Sequence, residues 1–566
     1  MKFIINQVLG SSGRKLAGFA LVLLTFLASV HAAGFLHASG QDIVDQDGNK
    51  ILLRGVGLGN WMLPEGYMWR FGEQGDRPRK IEKIVSDLAG PDYAQHFWTE
   101  YRRNYVTESD IKRIAELGYN SVRPALNSRL FLTEDDKPAY VDEGFQLLDN
   151  LVKWSKKYGV YVIIDMHAAP GGQTGQNIDD SANNQPELFM DEKYQQRLSD
   201  LWVKIATRYK DEPTVAGYDI LNEPLPQRTG SEGRYKSQLE PLYKQVTKAI
   251  RTVDNKHMII VEGADWANDW SAFTTPFDQN MVYQFHYYCW DQPSVLKGIH
   301  QYLDYQKRNN VPVWVGETGE SSDAIYWGTT DFFEAHNIGW SFWPWKKMAG
   351  VNAPYSYSPP DDWRLIREYV NGGGAKPSAE IARKAFDQLL SDIRITNCQF
   401  HPDVVNAMFH RVPGLVLAKN YSHDGPDKSY FVTATNHSRL YRLSEPVPVV
   451  TDGTDDGNQV VALAAGEWTA YTINCTTTTR DYETVARVRA SDGPAEVQLL
   501  VDDQPCAATI SKNAWDEISL GTHSLAPGAH HLKWIVKSGS VQLDWFNLKV
   551  KSGSRLSADS HSSVSE

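Results

Sequence analysis

Between residues 50 and 345, β-branched and aromatic residues fall in short runs that alternate with longer stretches whose apolar positions recur every three or four residues. Eight runs can be counted: ILLRGVGLG from 51, YNSVRPAL from 119, VYVIIDMH from 160, VAGYDILNE from 215, HMIIVEG from 257, MVYQFHYY from 281, PVWVGE from 312 and IGWSFW from 338. The stretches between them, such as GFQLLDNLVKWSKKYG from 144 and LEPLYKQVTKAIRTVD from 239, have the apolar stripe of an amphipathic helix. Strands alternating with helices argue for βαβ units and a parallel sheet. Eight of them predict an α/β fold, the (β/α)8 TIM barrel. A further helix, AEIARKAFDQLLSDI, follows Pro377. From about 395 the texture changes to short alternating strands separated by Gly, Pro, Asp and Asn turns, which predicts a smaller all-β sandwich domain. The expected organisation is a leader over 1–33, a barrel over 34–394, a sandwich over 395–551 and a disordered polar tail over 552–566.

The leader is read from its own pattern. Lys2, Arg14 and Lys15 precede an apolar stretch over 16–27, and the small-residue string ASVHAAG follows. This is the layout of a secretory signal peptide cleaved near Ala32 or Ala33. It predicts a secreted protein, periplasmic or extracellular, with no membrane association after cleavage. The alternative is an uncleaved anchor, against which the apolar core falls short of the ~20 residues a spanning helix needs.

Composition narrows the function. Lys and Arg number 57 against 69 Asp and Glu, a formal net charge of −12, so a surface built to neutralise nucleic-acid phosphates is not expected. Eighteen Trp and 27 Tyr exceed ordinary packing needs and suit stacking against sugar faces. Cys289, Cys398, Cys475 and Cys506 match no metal-ligand spacing; Cys289 reads as a buried thiol, and Cys475 and Cys506 are candidates to pair, with connectivity left open. GGQTGQN from 171 lacks the Lys-Ser/Thr of a phosphate loop, and neither HExxH nor GxSxG occurs. His167 and His286 lack a third ligand for zinc. No metal and no organic cofactor is expected.

In a (β/α)8 barrel, reactive side chains sit where strands end, on the carboxyl face. Arg123, His167, Asn222 with Glu223, His286 with Tyr288, Glu317, and Trp343 occupy such ends. Two carboxylates on opposite walls of a cleft split a glycosidic bond when one is a general acid and the other a nucleophile. Glu223 and Glu317 come from the fourth and seventh runs, across the barrel from each other. Asn222 is placed to bond a sugar 2-hydroxyl, and Trp343 to form a stacking floor. Arg123 and Tyr288 are expected to hold Glu317 ionised while Glu223 stays protonated near neutral pH. Trp345 is the alternative platform, its other reading being core packing. The long segment over 62–101, rich in aromatic and basic residues, is expected to cover part of the cleft.

LNEP at 221–224, GET at 316–318, HYY at 286–288, VRP at 122–124 and DMH at 165–167 closely resemble the motifs of glycoside hydrolase family 5, retaining barrel glycosidases acting on β-linked glycans. The likeness spans about residues 40 to 370. It implies Glu223 as acid/base and Glu317 as nucleophile, with Arg123, His167, Asn222, His286, Tyr288 and Trp343 lining the cleavage subsite. RGVGLGNW at 54, HAAPGGQTGQN at 167 and FWPWKK at 342 look most like branches that cut β-glucans, including the exo-acting β-1,3-glucanase type. The chain departs from that type where Thr318, in place of the usual Trp, follows Glu317. Farther on, GEWTAYTINC at 466, YETVARVRAS at 482, NAWDEISL at 513 and the string from 525 resemble family 6 carbohydrate-binding modules. That resemblance implies Trp515 and Gln542 as sugar contacts. LAKNY at 417 departs from the acidic pattern that supplies calcium ligands there.

The expected activity is hydrolysis of β-glucan polysaccharide or oligosaccharide by double displacement, performed by a monomer. The alternatives are a β-mannanase, a glucosidase acting on oligosaccharide or glycolipid, and a glycan-binding protein without catalysis; the sandwich in turn either binds glycan or only braces the barrel.

Overall fold

The computed structural model describes residues 34–289, 298–435, 440–442, 444–454, 458–476 and 478–551; the expected leader and polar tail lie outside them. Each of the eight runs contains one strand: β1 (Arg54–Leu58), β2 (Ser121–Asn127), β3 (Tyr161–Ala168), β4 (Val215–Asp219), β5 (Met258–Glu262), β6 (Met281–Tyr287), β7 (Val313–Gly319) and β8 (Gly339–Trp343). They pair in parallel in sequence order, and β8 closes on β1. Helices cover the outer face, so nearly every strand residue is buried, which is why the runs are continuously apolar rather than alternating. The helices Asp142–Tyr158 and Ser231–Ile250 lie on the two stretches with the clearest helical period.

The barrel is closed below and open above. A short hairpin, His37–Ser39 with Asp42–Val44, brings Leu36 and Ile43 against Leu53, Tyr161, Ile163, Met258 and Trp314, a separate apolar cluster at the strand starts. At the opposite end Trp69, from the segment over 62–101, packs with Phe71, Trp98, Tyr101 and Trp363 in an aromatic wall. Trp345 belongs to the core, not the cleft. It is 1% exposed, and its indole N–H donates to Asp110 at 3.0 Å. Among the described residues no helix is long and apolar enough to cross a membrane.

Beyond the helix Ala379–Asp392, two antiparallel sheets form the all-β region. Their long strands, such as Trp468–Cys475 and Gly528–Ser538, alternate buried and partly exposed positions. One continuous apolar core runs from the barrel into these sheets. Across the junction His410 Nε2 lies 3.0 Å from Thr330 Oγ1, and Arg411 donates to the Leu117 carbonyl at 2.7 Å. Cys475 and Cys506 are thiols and form no bridge.

Candidate active site

The register of the strands decides which side chains meet. Asp165 on β3 is level with Asp219 on β4, and Glu262 on β5 with Gln284 on β6. A shift between Phe285 and His286 sets His286 level with Glu317 on β7. Arg123, from β2, reaches the middle of this ring and is wholly buried. It donates to Asp219 at 2.8 Å, Glu317 at 2.7 Å, Asn222 Oδ1 at 2.8 Å and Glu262 at 3.0 Å, and Asp165 lies 3.2 Å away. One guanidinium therefore shares its charge among four acids, an arrangement suited to its planar fork of donors.

All eight sequence-predicted barrel residues converge on one mouth. Glu317 accepts from Arg123 through Oε1 and from the Tyr288 hydroxyl through Oε2, both at 2.7 Å. Glu223 follows β4 on a backbone with φ +44, and its own N–H is held by Glu262 Oε2 at 2.6 Å. Its carboxyl meets His286 Nδ1 at 2.7 Å, and the same nitrogen is 3.6 Å from Glu317. One ligating atom each of Glu223, His286 and Glu317 lies within 4.8 Å of the others. That spacing would also let the three share a cation, but the Arg123 guanidinium beside Glu317 already supplies positive charge there.

Asn222 is fixed on both sides: its oxygen accepts from Arg123, and its nitrogen lies 3.3 Å from His167 Nε2, while His167 Nδ1 meets Asp165 at 2.7 Å. Burial pulls His167 down to about 4, so the ring is neutral. It lies parallel to the Trp343 indole, centroids 5.2 Å apart. Trp343 in turn rests on the backbone of β1 and the turn after it. A Cβ on Gly57 would come within 2.3 Å of the ring and one on Gly59 within 2.5 Å, which accounts for the last two of the three glycines of RGVGLG.

The electrostatics differ from the sequence expectation at one point. Burial pushes Glu317 above its ordinary range and the Glu223 charge adds to this, against the pull of His286 and Arg123. Burial acts on Glu223 in the same sense, yet His286, with His167 and Arg123, together outweigh it and hold that carboxyl below its ordinary range. Burial also opposes the His286 imidazolium, but Glu262, Glu317 and Glu223 raise its pKa well above the usual value. The site thus rests with its proton on His286, 2.7 Å from Glu223, rather than on Glu223. Arg123 lowers Glu317 in the expected sense, but burial and the Glu223 charge outweigh it.

Several members of the site were not among the sequence candidates. Glu262 ends the fifth run, and Asp165 and Asp219 lie inside the third and fourth; each is a charge in an otherwise apolar strand, a signal available in DMH, VAGYD and VEG. Burial, partly offset by Arg123, raises Asp165 to about 8 and Asp219 to about 6. The cavity above them holds about 710 Å3, within the usual range of roughly 300 to 1,000 Å3 for ligand sites. Glu65 and Tyr67 line one end, the Tyr67 hydroxyl accepting from Trp343 Nε1 at 3.1 Å. Glu65 Oε1 is buried without a hydrogen-bond partner among the described residues, and burial, then the Glu317, Glu320 and Glu223 charges, raises its pKa well above the usual value. Gln173, in the string from 167, donates to the carbonyls of His167 and Asn222, both at 2.8 Å, and ties that segment to the cleft.

The two sandwich candidates lie side by side and are already engaged. Arg487 and Arg489 place their guanidinium carbons 4.3 and 4.9 Å from the Trp515 ring centre, and Arg489 donates to Gln542 Oε1 at 3.0 and 2.7 Å. Within LAKNY, Asn420 reaches the Ala324 carbonyl of the barrel and accepts from Tyr441 at 2.8 Å.

Residues 86–349 match the family Cellulase (glycosyl hydrolase family 5). The chain is 28% identical over 422 residues to a beta-xylosidase of Phanerodontia chrysosporium, covering 67% of this chain and 87% of that protein. It is also 28% identical over 310 residues to a probable glucan 1,3-beta-glucosidase A of Neosartorya fischeri, covering 53% and 71%. An endoglucanase C of Acetivibrio thermocellus is 29% identical over 197 residues, covering 34% of this chain and 53% of that protein. With a closed eight-stranded barrel around buried acids, a match to glycosyl hydrolase family 5 over 86–349 and these relatives, the chain is an O-glycosyl hydrolase.

Proposed function

We propose that the protein is a secreted retaining β-glucosidase or β-glucanase in which Glu317 is the nucleophile and Glu223 the general acid/base. The observation that carries this reading is the approach of Glu223 and Glu317 to within 4.8 Å beside one cavity. Retaining enzymes hold their carboxyls about 5 to 5.5 Å apart, whereas inverting ones need about 6.5 to 9.5 Å to admit water. In the first step Glu317 attacks the anomeric carbon as the glycosidic C–O bond breaks, and the departing oxygen takes a proton from Glu223. That proton comes to Glu223 from His286 across their 2.7 Å contact, leaving a neutral imidazole. Arg123 and Tyr288 aim Glu317 and stabilise it as the leaving carboxylate of the second step. There Glu223 deprotonates water, which attacks the glycosyl ester and releases the sugar with its configuration kept.

The sugar in the cleavage subsite lies against Trp343, with the Asn222 amide offered to its 2-hydroxyl, where bonding strengthens in the transition state. Glucan is favoured by the relatives named glucan 1,3-beta-glucosidase and endoglucanase. Export rests on the leader pattern over 1–33. Proton NMR of the products of a β-glucoside in the first minutes tests the mechanism. Initial release of the β-anomer is expected; initial release of the α-anomer would exclude a double displacement.

A further inference from the structure

The string HAAPGGQTGQN from 167, to which the chemistry above gives no task beyond His167, folds around two buried side chains. Asp179 closes the loop on itself. Its Oδ2 accepts from the N–H groups of Thr174 at 2.5 Å and Gly175 at 3.0 Å, and its Oδ1 from that of Ser181 at 2.9 Å. Gly172, at φ +76, passes so near that a Cβ there would lie 2.9 Å from the same Oδ2. Asp180 anchors the far side, accepting from the Asn127 amide at the end of β2 and from the Arg79 N–H, both at 2.9 Å. The loop is thereby fixed to the barrel.

Gln173 is the other buried side chain, and it reaches across to the end of β4. Its Oε1 accepts from the Ala169 N–H at 3.1 Å, and its amide nitrogen donates to the His167 and Asn222 carbonyls, both at 2.8 Å. Its own carbonyl accepts from the Leu225 N–H at 3.3 Å. One residue therefore grips the chain on both sides of Glu223 and Pro224.

That turn is not held from within. Glu223 and Leu225 have φ of +44 and +55, left-handed conformations that are costly for non-glycine residues and persist only where the surroundings impose them. Pro224 has no N–H to offer. The three remaining amides are each met from outside: Asn222 by the Met166 carbonyl at 3.1 Å, Glu223 by Glu262 Oε2 at 2.6 Å, and Leu225 by Gln173. Met166 and Glu262 belong to barrel strands; Gln173 alone of the three comes from a loop. Being wholly buried, Gln173 does not meet the sugar.

We propose that Gln173 is a positioning residue for the acid/base: it clamps the turn from Asn222 to Leu225 so that the Glu223 carboxyl faces the departing oxygen, and the string from 167 serves to hold the clamp. This rests on the retaining reading of the site, in which Glu223 gives up a proton and later recovers one.

Gln173→Met keeps the length of the side chain and removes its three hydrogen bonds. Two substrates with one glycone separate the steps. The phenolate of 2,4-dinitrophenyl β-glucoside departs without a proton, whereas a glucobiose, β-1,3- or β-1,4-linked, whichever the wild type cleaves faster, needs its leaving oxygen protonated. The variant is expected to lose at least about tenfold more kcat/KM on the glucobiose than on the dinitrophenyl glucoside. On the latter, attack by water becomes slow, so kcat and KM fall together. Azide, which needs no base, then attacks the anomeric carbon as Glu317 leaves as its carboxylate; it raises kcat and yields β-glucosyl azide. Equal losses of kcat/KM on the two substrates, no loss, or a kcat unmoved by azide would overturn the proposal, since a weakened fold or poorer sugar binding lowers both substrates alike. Gln173→Glu, a carboxylate that still accepts from Ala169 but has no hydrogen for the two carbonyls, reads the same ratio should Gln173→Met not fold. A wild type inactive on both substrates would instead defeat the reading of the site on which the proposal rests.

Discussion

Arg123 is the residue on which the others depend. It faces four buried acids, and its removal would leave Asp165, Asp219, Glu262 and Glu317 without their shared cation. Arg123→Met is expected to lower unfolding stability by about 3 to 5 kcal/mol in urea titrations, besides abolishing turnover. Asp165 adds a pH dependence whose sign follows from its raised pKa, about 8 against an ordinary 3.8. The folded protein keeps this proton where the unfolded chain has lost it. The contribution to stability is therefore full below pH 3.8, declines as the pH rises and is gone above about 8. Asp219, raised only to about 6, has stopped contributing to the slope by neutral pH. Between pH 6.5 and 8, Asp165→Asn is expected to flatten the fall in stability seen for the wild type; an unchanged slope would contradict the assignment. Glu65→Gln, isosteric with the protonated carboxyl, should keep the fold within about 1 kcal/mol, as measured by thermal melting. Glu223, Glu317 and their polar neighbours are legible in the sequence because each ends a run. Asp165 and Glu262 are passed over because a single acid in an apolar strand shows its purpose only once a cation from another strand is seen beside it.

At the scale of elements, the turn after β8 is pinned from below. Lys346, wholly buried, is 2.8 Å from Asp110 and 2.7 Å from the Ile393 carbonyl, and Trp345 donates to the same Asp110 oxygen. Asp110 also closes a capping box with Thr107 at the start of the helix Glu108–Glu116. One carboxylate thus ties a helix start to the turn that follows Trp343. Asp110→Ala leaves a buried ammonium without its counter-charge, and a loss of about 3 to 5 kcal/mol is expected by urea denaturation. The eight strands are legible beforehand because burial on both faces makes them continuously apolar. Where the chain bends is less legible. Glu223, Leu225 and the run from Asp265 to Ala267 take left-handed conformations without glycine, so no residue type announces them; only hydrogen bonds from neighbouring segments impose them.

Over the whole molecule, the sandwich is joined to the barrel by a shared core rather than tethered beside it. Its face meets the helix Asp323–Ala335 through the helix Pro402–Met408, with Trp327 against the His410 ring at 5.3 Å. Removing residues 395–566 would bare that surface. The truncated chain is expected to lose solubility, and to lose activity even on a small soluble glucoside; a binding module acting alone would be dispensable for such a substrate. The change of texture near 395 is legible in the sequence, but the shared core is not, because alternating strands look alike whether their outer residues meet solvent or a neighbouring helix. All of these features converge on one claim, that Glu317 bonds to the sugar. The most direct measurement is mass spectrometry of the protein after reaction with 2-deoxy-2-fluoroglucosyl fluoride, which slows release of a glycosyl enzyme more than its formation. The account predicts a single added sugar on the peptide containing Glu317, absent in Glu317→Ala; a label on another residue, or none on an enzyme that the reagent inactivates, would contradict it.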